Sequence, residues 1–126
     1  MSSDKVYIAG KAFPTLVAVS PEEQEQGLMF RPWPPPVMCF PYKKAEVRKF
    51  WMKNTISPLD ILFCRDNKII SICSGEPLST TLVGPDDNCD LVIELPAGTA
   101  KDRGINVGDS ATLYYTSSTA ARQIVS

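Results

Sequence analysis

Histidine does not occur among the 126 residues of this chain. Its absence removes the usual general base near neutral pH, the commonest zinc ligand and every Ser-His or Cys-His nucleophile pair. Cysteine is sparse, and its four positions, Cys39, Cys64, Cys73 and Cys89, include no C-x-x-C pair. The paired spacing of a structural zinc site is therefore missing. Free, mostly buried thiols are expected instead, with no metal and no cofactor. No run of about 18 apolar residues is present to span a bilayer. The opening segment, "MSSDKVYIAG", lacks the basic region and apolar stretch of a secretory signal, so a cytoplasmic location is expected. The net charge of -1 supplies no general attraction to nucleic acid or to an anionic membrane.

What is present suits one small domain. The hydrophobic fraction is 44% and the charged fraction 21%, which is ordinary for a globular chain. At this length folding hides roughly two-thirds of the surface that the unfolded chain would expose.

The chain opens with strand patterns. Residues 6–9, "VYIA", and 12–20, "AFPTLVAVS", flank a turn at Gly10-Lys11, with Phe13, Thr15, Val17 and Val19 sharing one face. "SPEEQEQG" then carries the signature of a helix start. Ser20 caps, Pro21 takes the first helical position, Glu23 completes a capping box and Gly27 stops the helix. A helix of about two turns needs docking, for which Leu28 and Met29 are the candidates. "RPWPPP" (31–36) reads as a stiff extended connection, because its prolines remove ladder donors. Residues 37–42 resume as strand, 43–49 read as a polar loop, and "FWM" (50–52) returns to strand.

Residues 59–64 and 68–73 flank "RDN" and form the clearest hairpin pattern. A turn at Asp66-Asn67 pairs Cys64 with Ile69 and Asp60 with Cys73. Alternation then directs Ile61, Phe63, Ile70 and Ile72 to the core. Asp60, Leu62, Cys64, Ile69, Ser71 and Cys73 take the other face, which is apolar enough to be covered as well. Residues 75–88 read as a long loop and 89–96 as a strand. A second helical turn follows, with Thr99 as cap, Asp102 three residues on and Gly104 as stop. Gly108-Asp109 turns into a last strand at 110–115. The expected fold is mainly β: a small curled sheet or barrel of about seven to eight short strands with two short capped helices. An open sandwich is the alternative. The domain spans 1–115, with a flexible tail at 116–126.

Four segments together resemble one known family: "EQEQGLMFR" (23–31), "MCF" (38–40), "FWMKNTISPLDILF" (50–63) and "LVIELPAGTAKDRGINVGD" (91–109). In this order, over residues 13–115, they are similar to the domain of unknown function 192, found in bacteria and archaea. The resemblance implies a mainly β fold and no established activity. Many members begin with an export signal, and short forms without one are known from bacteriophages, so a phage origin fits this chain. The family pattern also has a glycine where this chain has Val37.

Three functional expectations compete. The first is a non-catalytic binding or regulatory module that presents Arg31, Trp51, Lys53, Asn54 and Asp60 to a small ligand or a host protein. Trp51 would floor a groove beside polar contacts from Lys53 and Asn54. Against this stands a purely structural role, with Phe50 and Met52 in the core and Trp51 shielding a sheet edge. The second is a hydrolase in which Asp60 and Glu94, each an acid among apolar neighbours, act as a carboxylate pair supported by Arg31 or Lys53. The third is a host-factor or nucleic-acid binder using Lys43, Lys44, Arg48, Lys49 and Lys53 with interleaved Tyr42, Phe50 and Trp51. The net charge weighs against nucleic acid. If no site exists, the two acids are expected to be paired internally, with Arg31 or Lys53 as partner.

Overall fold

The computed structural model of the chain describes residues 4–116. Eight strands are present among them: β1 (Lys5–Ile8), β2 (Lys11–Pro14), β3 (Leu16–Val17), β4 (Met38–Val47), β5 (Leu59–Arg65), β6 (Lys68–Gly75), β7 (Asn88–Pro96) and β8 (Ala111–Tyr114). Two short helices, α1 (Pro21–Gln26) and α2 (Thr99–Asp102), complete the set. The strands form a three-stranded sheet, β2-β1-β8, and a five-stranded sheet, β3-β4-β7-β5-β6. The domain is mainly β, as the strand patterns imply, but the described residues close no barrel.

The large sheet is buried on both faces. One face meets the small sheet: Val6, Ile8, Phe13 and Ala111 pack with Leu62, Cys64, Ile69 and Ile93. The other is covered by irregular chain: Leu28, Met52, Phe50 and Val83 lie over Phe40, Ile61, Phe63 and Val92. Each large apolar side chain fully removed from water stabilises by roughly 1.5–3 kcal/mol. Leu28, just past α1, is such a side chain and explains how a six-residue helix with no buried residue of its own stays docked. The helix forms as its sequence dictates. The Ser20 hydroxyl accepts from the Glu23 amide, and the Glu23 carboxylate accepts from the Ser20 amide.

Several expectations need correction. The 12–20 run is not one strand. Phe13, Thr15 and Val17 are buried, but the chain changes sheets at Thr15: β2 pairs with β1 and β3 pairs parallel to β4. Residues 43–47 are strand rather than loop. A shift in register between Pro41 and Glu46 absorbs the extra residues, and pairing resumes as Glu46 with Cys89 and Val47 with Asn88. Residues 50–52 form no strand. Phe50 makes one bridge, to Val83, and the chain is then held by the Met52 amide donating to the Ser79 carbonyl at 2.8 Å.

In the hairpin, Asp66 and Asn67 both take positive φ, and Cys64 pairs with Ile69 as the turn dictates. A bulge then intervenes between Phe63 and Cys64, so Asp60 pairs with Ser74 and not Cys73. Ile70 stays on the Phe63 face, but beyond the bulge parity inverts. Ile72 packs with Leu62, and Cys73 with Ile61 and Phe63. One inserted residue exchanges faces for everything after it. The four cysteines are free, and burial pushes the Cys39 thiol up to about 12.

The cap of α2 is also reassigned. The Thr99 hydroxyl donates to the Pro96 carbonyl at 2.6 Å and caps nothing. The Asp60 carboxylate, reaching from β5, accepts from the amides of Gly98 at 3.1 Å and Ala100 at 2.9 Å. Asp60→Ala is therefore expected to lower stability by about 1–2 kcal/mol, with Asp60→Asn losing less, as read by urea titration. The tail, from 117 onward, lies outside the described residues.

Candidate functional site

A cleft of about 390 Å³ opens between α1 and the segment running from Lys49 to Thr55. Its outer end continues into a shallower hollow bordered by Glu22, Met29 and Asn54. The elements that build it follow from the covered second face of the large sheet. Phe40 and Tyr42 come from β4, Glu94 from β7, and Phe50 and Trp51 from the irregular segment above.

The aromatic side chains form the walls. The Phe50 ring stands edge-on between Phe40, at 5.0 Å, and Phe63, at 5.8 Å. Trp51 stays 44% exposed and forms the outer wall. Alternation along 50–53 survives without a strand: Met52 is buried, while Trp51 and Lys53 point outward. The Lys53 ammonium lies 5.3 Å from the centre of the Trp51 ring, a cation-π contact at the rim. Gly27 borders the cleft on the helix side, with φ of +48°.

Glu94 lies at the inner end. Cross-strand pairing with Met38 and Ile61 turns its side chain to the cleft face of the sheet. Only 4% of the residue is exposed. No described residue donates a hydrogen bond to its carboxyl group or forms an ion pair with it. Burial pushes its pKa from 4.5 up to about 8, so the acid is mostly protonated at neutral pH. Burial also pushes the Tyr42 phenol up to about 12, with Arg48 opposing and Glu94 adding to the shift.

The residues singled out in the sequence divide. Trp51, Lys53 and Asn54 gather at the cleft and its outer hollow. Arg31 does not. It is exposed, and its backbone carbonyl accepts from the Ser57 hydroxyl. Asp60 is the helix cap described above. It pairs across the sheet with Leu95, one residue from Glu94, and so points to the opposite face. The two acids therefore do not share a cleft wall, which a carboxylate pair for hydrolysis requires. Neither is paired with Arg31 or Lys53.

Two members of the basic cluster have partners within the fold. The Arg48 guanidinium stacks 3.8 Å from the Tyr42 ring centre and donates to the Lys44 carbonyl. Lys49 bonds Asp86 at 2.9 Å and the Gly84 carbonyl at 2.6 Å. Among the described residues no group of three or more potential ligands is placed to hold a metal ion, and no helix is long and apolar enough to cross a membrane. The sequence signalled Glu94 through an acid inside "LVIELP". It held no signal that Phe40, Tyr42 and Gly27 would border the same cleft as that acid, since they come from separate segments.

Residues 5–113 match the DUF192 family, described as an uncharacterized ACR. Two solved structures are similar over most of the chain. A candidate transcription regulator from Sinorhizobium meliloti is 32% identical, with a TM-score of 0.80, covering 89% of this chain and 95% of that one. A protein of unknown function from Novosphingobium aromaticivorans is 30% identical, with a TM-score of 0.79, covering 86% and 83%. Comparison with curated proteins finds no match.

Proposed function

The chain belongs to the DUF192 family, and from that premise we propose that it is a small β binding module whose cleft receives a small ligand. The observation that supports this is the composition of the cleft: aromatic walls around a buried carboxyl group to which no described residue donates. Ligand sites are typically apolar concavities of a few hundred Å³ with few placed polar groups, and about 390 Å³ falls in that range. A buried acid without a partner costs stability, so its position inside an open cavity favours a role in contact with something bound.

A regulatory use of the bound ligand draws support from the Sinorhizobium relative, itself a candidate transcription regulator. Direct reading of DNA by α1 is disfavoured, since Glu22, Glu23 and Glu25 would face the phosphates.

The chain has two tryptophans, so Trp33→Phe leaves Trp51 as the single indole emitter. A screen of small metabolites against that variant should produce ligands that shift Trp51 emission and raise the melting temperature. Added Trp51→Ala should weaken binding at least tenfold, read by calorimetry. Ligands that bind equally well to Trp51→Ala and Lys53→Ala would place recognition elsewhere and remove the reading.

A further inference from the structure

We propose that the ligand of this cleft is a small free organic cation, an amine or alkylated amine, seated with its positive head against Glu94 and its carbon body along the aromatic walls. The inference rests on the cleft being the binding site and adds the chemistry of what it binds.

Three observations carry it. First, Glu94 is a carboxyl group on the central strand of the large sheet, flanked by β4 and β5, with no donor from any described residue. An ammonium group supplies the charge that this acid lacks, and donors as well where it keeps an N–H, and the low-polarity surroundings strengthen the pair. Second, Phe40, Tyr42, Phe50 and Trp51 border the same space. Aromatic faces attract cations, and ring walls around an acid suit an alkylated ammonium in particular. The Lys53 ammonium against Trp51 is an intramolecular instance of that attraction at the rim. Third, the charges facing the cleft leave a place for a cation. Lys49 is neutralised by Asp86, and Lys53, set against the Trp51 ring, is offset by the opposite charge of Glu25 on the same border. Glu94 is then the unmatched charge whenever it is ionised.

An anionic ligand would confront Glu94 with a like charge, and Lys49, a cation on the cleft border, is already engaged by Asp86. A neutral carbonyl compound could accept a hydrogen bond from protonated Glu94, which makes it the sharpest competing chemistry. The two differ in how binding couples to the proton. The groups that face Glu94 across the cleft are Glu25 from α1, Tyr42 from β4, and Lys49 and Lys53 from the covering segment. Burial keeps the phenol un-ionised below about 12. Glu94, raised to about 8, is the group whose titration falls within the working range. A cation must displace its proton, so affinity should rise with pH. A neutral acceptor needs the proton, so its affinity should fall.

The test uses four probes of one shape: benzylamine, benzyltrimethylammonium, benzyl alcohol and benzoate. They are titrated into the Trp33→Phe protein at pH 6, 7, 8 and 9, with Trp51 emission and calorimetry as readouts. Benzyltrimethylammonium keeps its charge throughout and is the cleanest probe. The expected result is that both cations bind at least tenfold more tightly than benzyl alcohol. For benzyltrimethylammonium the apparent Kd should fall about tenfold per pH unit below pH 8 and level off above it. Glu94→Gln should weaken cation binding tenfold or more and abolish the pH dependence. Should that variant fold poorly, the pH profile of the unaltered Glu94 protein decides the matter alone. Binding of benzyl alcohol or benzoate as tight as that of the cations, still lost in Trp51→Ala, overturns the cation and leaves the cleft reading standing. Failure of all four probes to bind or to move Trp51 overturns both.

Discussion

Gly84→Ala is expected to destabilise the fold by about 3–5 kcal/mol, a large share of the 5–15 kcal/mol that holds a typical domain together. Gly84 has φ of +139°, which L side chains rarely adopt. A Cβ there would stand 2.6 Å from the Arg48 carbonyl oxygen and 3.0 Å from the tip of the Phe63 ring. Neither neighbour can yield easily. The first is backbone, and Phe63 is fully buried with its ring edge-on to Phe50. Relief requires the 83–84 loop to retreat, which breaks the reciprocal bonds between Phe50 and Val83, at 2.9 and 2.7 Å. Those bonds hold the aromatic wall of the cleft, so ligand binding should fail together with stability. Gly104→Ala is the control: it shares a positive φ, of +64°, but no atom lies within 4 Å of the added carbon. It should cost only about 1 kcal/mol. Guanidinium titrations of both variants check this, and equal losses would mean that the contact at Gly84 is not what matters.

The second large effect is a loss of stability with rising pH. The folded state holds Glu94 at about 8, against an ordinary 4.5 when exposed. Below pH 4.5 both states are protonated and the group costs nothing. Between these values the unfolded chain releases the proton and the folded one retains it, so the unfolded state gains steadily. Above pH 8 the penalty is complete, at most roughly 4–5 kcal/mol for one fully buried group. Urea titrations at pH 5, 7 and 9 should therefore show the midpoint falling across this series. Glu94→Gln should flatten the fall and make the protein more stable than its parent at pH 9. A parent profile that is flat from pH 5 to 9 would show that the carboxyl group is solvated or paired in solution.

Local chemistry was the legible part of the sequence. The capping box at Ser20 and Glu23 and the Asp66-Asn67 turn depend on residues within a few positions of one another, and they form as their chemistry dictates. The inward and outward alternation of Phe50 to Lys53 was readable for the same reason. What escaped depends on contacts made at a distance. The bulge in β6 has no signal in the local pattern, and it reversed the faces of Ile72 and Cys73. The continuation of β4 through 43–47 needed Asn88 and Cys89 as partners. The residues of the candidate site were legible only where they are close in sequence. Trp51, Lys53 and Asn54 are neighbours in sequence and remain neighbours at the cleft. Asp60 and Glu94 look alike in the sequence, yet the pairing of β5 with β7 points them to opposite sides. One completes a helix end and the other faces open space.

The cleft draws on segments that lie far apart along the chain: 24–29, 40–42, 49–55, Leu82 and Glu94. No contiguous fragment contains it, and its inner end exists only after β7 has entered between β4 and β5. Occupancy and assembly are thus thermodynamically linked. A ligand that recognises only the assembled chain, present at a hundredfold its Kd, would add about 2.7 kcal/mol to the free energy of unfolding. The abundance of the native protein in a cell would then follow the supply of its ligand.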